Sequence, residues 1–191
     1  MAVKTTLLEP VAANSTVTLG ASGDTISIPA GVTIANSGTA TGFGGANTPA
    51  FFAHSASAQT FISDNTYTKI TLGTEVFDVG SAFASSRFTV PSDEAGKYFF
   101  YSSIRCEVTV NSDMANSYSA IYLNGSMYIE NRMSFQNNPI RFATNLNHVV
   151  LDLSVGDYVE LYGAIDHLGA SFIEFGVSGK GTSFGGYKII E

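Results

Sequence analysis

The sequence predicts an all-β protein, and three observations lead to that prediction. Apolar and polar side chains alternate over short runs, which is the two-residue period of a half-buried strand. Gly, Pro, Asn and Asp residues that favour turns separate these runs. No segment after Pro49 sustains a helical period. This combination is typical of a β-sandwich or jelly roll.

The composition limits the classes of function. The 191 residues carry a formal net charge of −7, and charged residues make up only 13% of the chain. That share is about half the usual one, so neutral Ser, Thr, Asn and Gly must form most of the surface. Binding to nucleic acid requires clustered Lys or Arg, whereas the nine basic residues here are scattered. We expect no nucleic-acid partner, and no apolar run is long enough to predict a signal peptide or a membrane helix.

The first 48 residues differ from the rest of the chain. Phe43 is their only aromatic residue, and short aliphatic pairs recur at 17–19 (VTL), 26–28 (ISI) and 32–34 (VTI). Turn signals lie between these pairs, at 20–24 and 29–31. Strands this short cannot bury a core alone.

We therefore predict that residues 1–10 dock to another component and that residues 11–48 form a β stalk in which identical chains intertwine. The shared apolar axis of the stalk would contain Ile26, Ile28, Val32 and Ile34. A flexible Gly/Ser linker is the alternative interpretation of the same residues.

Residues 49–191 contain the clearest strand signals. The run 98–110 alternates and places Ile104, Cys106, Val108 and Val110 on one face. Because Cys106 is the only cysteine, no intrachain disulfide can form, and its place in this run predicts a buried thiol.

Two turns are predicted to connect later strands. Asn124-Gly125 supplies the two residues of positive φ that a type I′ hairpin needs. Residues 154–157 (SVGD) predict a second turn, after which Val159 and Leu161 face the core.

Several pieces of residues 49–191 together resemble one family. They are 49–53 (PAFFA), 77–78 (FD), 87–91 (RFTVP), 95–100 (AGKYFF), 123–125 (LNG), 151–153 (LDL), 156–161 (GDYVEL) and 183–187 (SFGGY). In this order they are similar to the signature of the C1q/tumour-necrosis-factor-like globular head. The resemblance implies a ten-stranded jelly roll that trimerises about a threefold axis. It assigns signature and core roles to Phe88, Pro91, Gly96, Tyr98, Phe100, Gly156, Asp157 and Phe184.

The segment 24–45 resembles stalk segments of bacteriophage fibre and appendage proteins. Together with the absence of a collagen tract, a signal peptide and a disulfide, this predicts a virion structural protein on the exterior of the particle. We expect a homotrimeric fibre or appendage whose head contacts a host surface glycan or protein, while its N-terminus binds other virion proteins. A capsid or neck decoration protein with a purely structural role is the alternative.

The sequence predicts no catalytic site and no cofactor. The three histidines are widely spaced, no nucleophile or phosphate-binding motif is present, and most acidic residues fall in turns. A polysaccharide hydrolase would need a pair of acids across a cleft. Some heads of this family bind Ca²⁺; no D-x-D-x-D cluster is present here, and either Asp93-Glu94 or Asp64-Asn65 could only contribute to an irregular Ca²⁺ site. Tyr158 and Tyr162 flank Glu160 on an outer face, which predicts a subunit interface or, alternatively, a ligand platform.

Overall fold

A computed structural model describes residues 21–33, 47–60, 62–169, 173–176 and 180–189. The chain divides into two compact units, Met1–Phe43 and Gly44–Glu191. The two units are described separately below.

Residues 21–33 of the first unit contain the two predicted turns but no strand. The Asp24 amide donates to the Ala21 carbonyl at 3.0 Å, and the Val32 amide donates to the Pro29 carbonyl at 3.2 Å. Residues 26–28 are not in a strand in the single chain, whereas the predicted stalk strands would pair with other copies of the chain. Ile34 and residues 17–19 lie outside the described residues, so the intertwined stalk stays a prediction.

The second unit is an antiparallel sandwich of thirteen strands among its described residues. The strands are β1 (Ala50–His54), β2 (Gln59–Thr60), β3 (Thr68–Lys69), β4 (Thr74–Val79), β5 (Phe83–Ala84), β6 (Arg87–Thr89), β7 (Gly96–Val108), β8 (Met114–Leu123), β9 (Ser126–Ser134), β10 (Phe142–Leu153), β11 (Tyr158–His167), β12 (Ile173–Gly176) and β13 (Ser183–Lys188). Three of these, β2, β3 and β5, are only two residues long. The ten longer strands equal the number that the resemblance implied.

The strands form two sheets that pack face to face. Sheet 1 has the order β2-β12-β7-β13-β1-β4, and β10 pairs with the other side of β7. Sheet 2 has the order β5-β6-β11-β8-β9, and β3 also pairs with β11. The last strand lies beside the first, as predicted, with Phe184 opposite Ala53.

The predicted turns have the expected geometry. Asn124 and Gly125 have φ values of 51° and 79° and connect β8 to β9, as a type I′ hairpin requires. In the turn after β10, the Asp157 carboxylate accepts from the Ser154 amide at 2.8 Å, while the Asp157 amide donates to the Ser154 carbonyl. Both turns fix the register of the strands that they join.

Aromatic side chains fill the centre of the sandwich. Phe88 from sheet 2 lies within 5.4 Å of Phe51 and 5.3 Å of Phe100 from sheet 1, measured between ring centroids. Tyr98 and Phe184 complete the cluster, and all four signature aromatics of the sequence analysis are fully buried. These four side chains therefore belong to the hydrophobic core.

One end of the predicted alternation in β7 is wrong. Ile104, Cys106 and Val108 are buried as expected, but β7 ends at Val108 and Val110 is half exposed. The chain turns there because residues 111–112 form a turn in which Ser112 has a φ of 58°. Burial raises the pKa of the Cys106 thiol to about 12, although a backbone hydrogen bond at Tyr118 opposes the shift.

Candidate functional site

Large apolar side chains dominate the outward side of sheet 1, and many of them are exposed to solvent. In β7, Phe99 and Tyr101 point away from the core, because the alternate residues Tyr98 and Phe100 point into it. The neighbouring strands contribute further apolar side chains at the outward positions. We call this surface the apolar face, and it consists of Phe52, Phe77, Val79, Phe99, Tyr101, Phe142, Leu146, Val150 and Tyr187.

The strand register aligns these side chains in rows across the sheet. One row runs from Phe77 through Phe52, Gly185 and Tyr101 to His148. Gly185 is required in this row, because a Cβ atom there would lie 2.5 Å from the Tyr101 ring. The Tyr101 ring therefore lies over the glycine and stacks against Phe52, with ring centroids 6.2 Å apart.

Exposure distinguishes this face from ordinary surface. Leu146 is 62% exposed, Phe142 58% and Val150 51%, and these residues lie on the single strand β10. Burial raises the pKa of Tyr101, and the nearby Tyr187 adds to this shift. Contiguous apolar patches on soluble domains mark sites of contact with other molecules.

Charged groups limit the apolar face at one end. Glu107 forms ion pairs with Arg105 and Arg141, both at 3.3 Å, and Arg105 lies over the Phe142 ring with its guanidinium 5.3 Å from the ring centroid. A polar rim around an apolar centre is the usual composition of a protein interface.

The outward side of sheet 2 is different, because its side chains bond to one another. Glu160 is almost fully buried and accepts from Lys69 at 2.7 Å and from Arg87 at 2.8 Å. Burial alone would raise the pKa of Glu160, but the hydrogen bonds and charges of the two cations outweigh it and lower that pKa. The bonds to Glu160 also raise the pKa of Arg87.

Tyrosine rings lie beside this ion-pair cluster. The Tyr162 ring stacks on Tyr122 with centroids 4.0 Å apart, and the Arg87 guanidinium lies 4.0 Å from the Tyr158 ring centroid. Tyr67 crosses the sheet and donates its hydroxyl hydrogen to the Glu130 carboxylate. These rings and charges therefore have partners within the chain, whereas β9 at the edge of the sheet leaves Met127, Tyr128 and Met133 partly exposed.

The structure separates the residues that the sequence analysis proposed for an interface. Tyr158 and Tyr162 lie on the outward side of sheet 2, and they are not part of the apolar face. Ile26, Ile28 and Val32 belong to the other unit and are all exposed. Ile34 lies outside the described residues. The interface role proposed for these residues remains a prediction.

The remaining signature residues lie in turns and connections. Gly156 has a φ of 85° and Gly96 a φ of 142°, and these values favour glycine. Pro91 follows β6, and Asp157 holds the turn described above.

The sequence analysis missed the apolar face, although a signal was present. The run 98–101 (YFFY) places aromatic side chains at both alternating positions, so both sides of this strand are apolar. A strand with one solvent-facing side has polar residues at alternate positions instead.

The possible Ca²⁺ ligands are not brought together. Glu94 forms an ion pair with Lys188 at 2.9 Å near the start of β7, whereas Asp64 accepts from the His167 amide at 3.0 Å at the end of β11. Within the described residues, no group of three or more His, Cys, Asp or Glu side chains could hold a metal ion. The same part of the chain contains no helix that is long and apolar enough to cross a membrane.

The arrangement defines a class of protein: an all-β sandwich with two antiparallel sheets and the connections of a jelly roll. Comparison with solved structures gives the same class. The chain is similar to the globular domain of zebrafish complement 1qA protein, with a TM-score of 0.50 and 15% identity over 74% of this chain and 97% of that one. It is also similar to the Eiger TNF of S. frugiperda, with a TM-score of 0.52 and 12% identity over 73% of this chain and 91% of that one.

These likenesses confirm the predicted C1q/TNF-like jelly roll at the level of the fold. No protein-family model matches the chain, and neither does any curated protein. The phage-type stalk is not addressed by these comparisons.

Proposed function

We propose that this chain forms a homotrimer through the apolar face and is the outer head of a bacteriophage fibre or appendage. The observation that carries the proposal is the contrast between the two sheets. Sheet 1 exposes Leu146, Phe142 and Val150 by more than half, whereas ion pairs and stacked rings occupy the centre of sheet 2 and its exposed apolar side chains lie on the edge strand β9. Self-association buries the first surface and leaves the second facing the medium.

Symmetry makes a second copy of the chain the expected occupant of the apolar face. Closed cyclic assemblies are the common form of soluble oligomers. The C1q/TNF-like resemblance implies a threefold arrangement in particular. In the first unit, Ile26, Ile28 and Val32 are exposed between turns, and a shared stalk axis would bury them.

The proposed role is recognition. A neutral polar surface with 13% charged residues suits contact with a host glycan or surface protein. Three heads on each stalk, repeated around a particle, convert weak individual contacts into firm attachment by raising the effective concentration. Residues 1–10 would dock to other virion proteins.

Two experiments test this proposal. Sedimentation velocity and native mass spectrometry of the full chain should give a mass three times the 20.1 kDa of the monomer. A stable monomer at micromolar concentration would contradict the assembly. When purified trimer is added to host cells before the phage particles, it should reduce the adsorption of the particles to those cells.

The second candidate is a structural decoration protein of the capsid or neck. The covered tyrosine rings of sheet 2 favour it, because rings stacked on one another or on Arg87 have less surface left for a ligand. Particles that lack the protein would then adsorb normally but lose resistance to heat or low salt.

A further inference from the structure

The connection between β9 and β10 encloses a cleft of about 380 Å³. It is lined by Ser134, Phe135, Gln136, Asn137, Asn138 and Ile140. This volume falls within the roughly 300–1,000 Å³ of small-molecule sites.

The two ends of this connection are tied to β8. The Phe135 amide donates to the Ala115 carbonyl at 2.7 Å, and Ile140 exchanges two backbone hydrogen bonds with Met114, at 2.8 and 3.2 Å. Phe135 and Ile140 also pack against the hydrophobic core. The cleft therefore has anchored, apolar ends and is held in shape before any ligand arrives.

The polar side chains of the cleft are neutral. Across the part of the chain that the structure describes, the side chains of Ser134, Gln136, Asn137 and Asn138 form no hydrogen bond to protein. Each amide side chain can both donate and accept, as a hydroxyl can. No charged residue lines the cleft.

These properties fit the chemistry of a sugar ring. A pyranose has hydroxyl groups around its edge, which both donate and accept hydrogen bonds, and C–H groups on its faces. Amides and a hydroxyl at the rim would meet the edge, while Phe135 and Ile140 would contact a face. An anionic ligand is not favoured, because no cation lines the cleft and the neighbouring Arg141 is paired with Glu107.

The cleft and Ala50, the first residue of β1, lie at opposite ends of the sandwich. Ala50 aligns with Phe99 near the start of β7 through Tyr187, so β1 and β7 run in the same direction. Val108, at the other end of β7, donates to the Arg141 carbonyl beside the cleft. Nine residues of strand separate Phe99 from Val108, a distance of about 30 Å.

From this neutral, anchored cleft we infer that the β9–β10 connection is a binding site for neutral saccharides. The inference rests on the proposed host-facing role, because it names the ligand class that the head would recognise. An uncharged hexose or N-acetylhexosamine chain is the expected ligand.

The test uses the full chain on an array of immobilised oligosaccharides, with neutral hexose and N-acetylhexosamine chains beside sialylated, sulfated and uronic-acid chains. We expect binding to neutral chains. The double variant Gln136→Ala/Asn138→Ala should weaken that binding roughly tenfold or more, because it removes two amides that bond to hydroxyls. Asn111→Ala is the matched control, since Asn111 is an exposed asparagine in the neighbouring β7–β8 connection, outside the cleft, and it should leave binding unchanged.

A measurement on the unmodified protein accompanies the variants. In an NMR titration with the neutral oligosaccharide that binds best on the array, the side-chain amide signals of Gln136, Asn137 and Asn138 should shift. Binding only to anionic chains, binding only to peptides, or no binding to any neutral chain would overturn the inference. Equal weakening by Asn111→Ala would do so as well.

The two proposals fail in different ways. Suppose that the unmodified trimer blocks adsorption of phage particles to host cells and that the trimer of Gln136→Ala/Asn138→Ala blocks it equally well. The saccharide site is then wrong, and the attachment role stands. If neutral chains bind at the cleft but the trimer does not affect adsorption, the attachment role is wrong and the site stands.

Discussion

The variant Val150→Asp tests whether the apolar face holds the assembly together. Val150 lies on β10 opposite Phe99 and is 51% exposed in the single chain. Burying a whole valine side chain is worth about 1.5 kcal/mol, so covering the exposed half contributes about 0.8 kcal/mol per copy, or about 2.4 kcal/mol in a trimer. Loss of this contribution alone weakens association roughly 60-fold.

The introduced carboxylate adds a larger effect. Each buried, unpaired charge costs several kcal/mol, and three copies around one axis would also repel one another. We expect Val150→Asp to be a folded monomer at concentrations where the unmodified chain is a trimer. Sedimentation velocity over a range of concentrations gives the mass, and circular dichroism checks that the fold is retained.

Val155→Asp is the matched control. Val155 has nearly the same exposure, 53%, but lies in the turn between β10 and β11 rather than on the apolar face. The control should stay trimeric. If Val150→Asp remains a trimer with unchanged dissociation, or if both variants dissociate equally, the assignment of the interface to this face is refuted.

Three further predictions concern the fold. Phe88→Ala should lower the free energy of unfolding by about 3–5 kcal/mol in urea titrations, because it opens a cavity among fully buried rings. Phe142→Ala should lower the free energy of unfolding of the monomer far less, because Phe142 is exposed. Equal losses would refute the placement of Phe88 in the core. Glu160 has a lowered pKa when folded, so its stabilising contribution is present above the ordinary Glu pKa of about 4.3 and is lost as the pH falls through the folded-state value. Urea titrations at pH 7 and pH 3 should therefore show a smaller acid loss for Glu160→Gln than for the unmodified chain, and an identical loss would count against the ion pairs. Burial raises the Cys106 pKa to about 12, so iodoacetamide at pH 8 should label the thiol only after unfolding, and rapid labelling of native protein would contradict its burial.

Local patterns were sufficient to predict much of the head. The Asn124-Gly125 turn, the turn at residues 154–157 and the buried positions of β7 each depend on neighbours in the sequence. The lengths of the strands on either side of the second turn were not predicted, and β10 extends back to Phe142 while β11 continues to His167. In these extensions pairing with a neighbouring strand maintains the extended backbone where alternation alone is weak.

The candidate site was harder to predict, because its parts are far apart in the sequence. Phe52, Tyr101 and Leu146 meet on one face only after β13 and β7 bring their strands together. Tyr158 and Tyr162 looked equally suitable for an interface, and only the contacts with Arg87 and Tyr122 show that their rings already have partners.

The sequence by itself determined the all-β class, the turns and the aromatic core, because alternation and turn chemistry act over a few residues. Tertiary structure decided which sheet has an uncovered apolar side and which has a side whose charges and rings are satisfied. That difference depends on cross-strand register, which combines residues from distant parts of the chain. The sequence alone does not show which strands pair, so it does not give the register that brings these residues together.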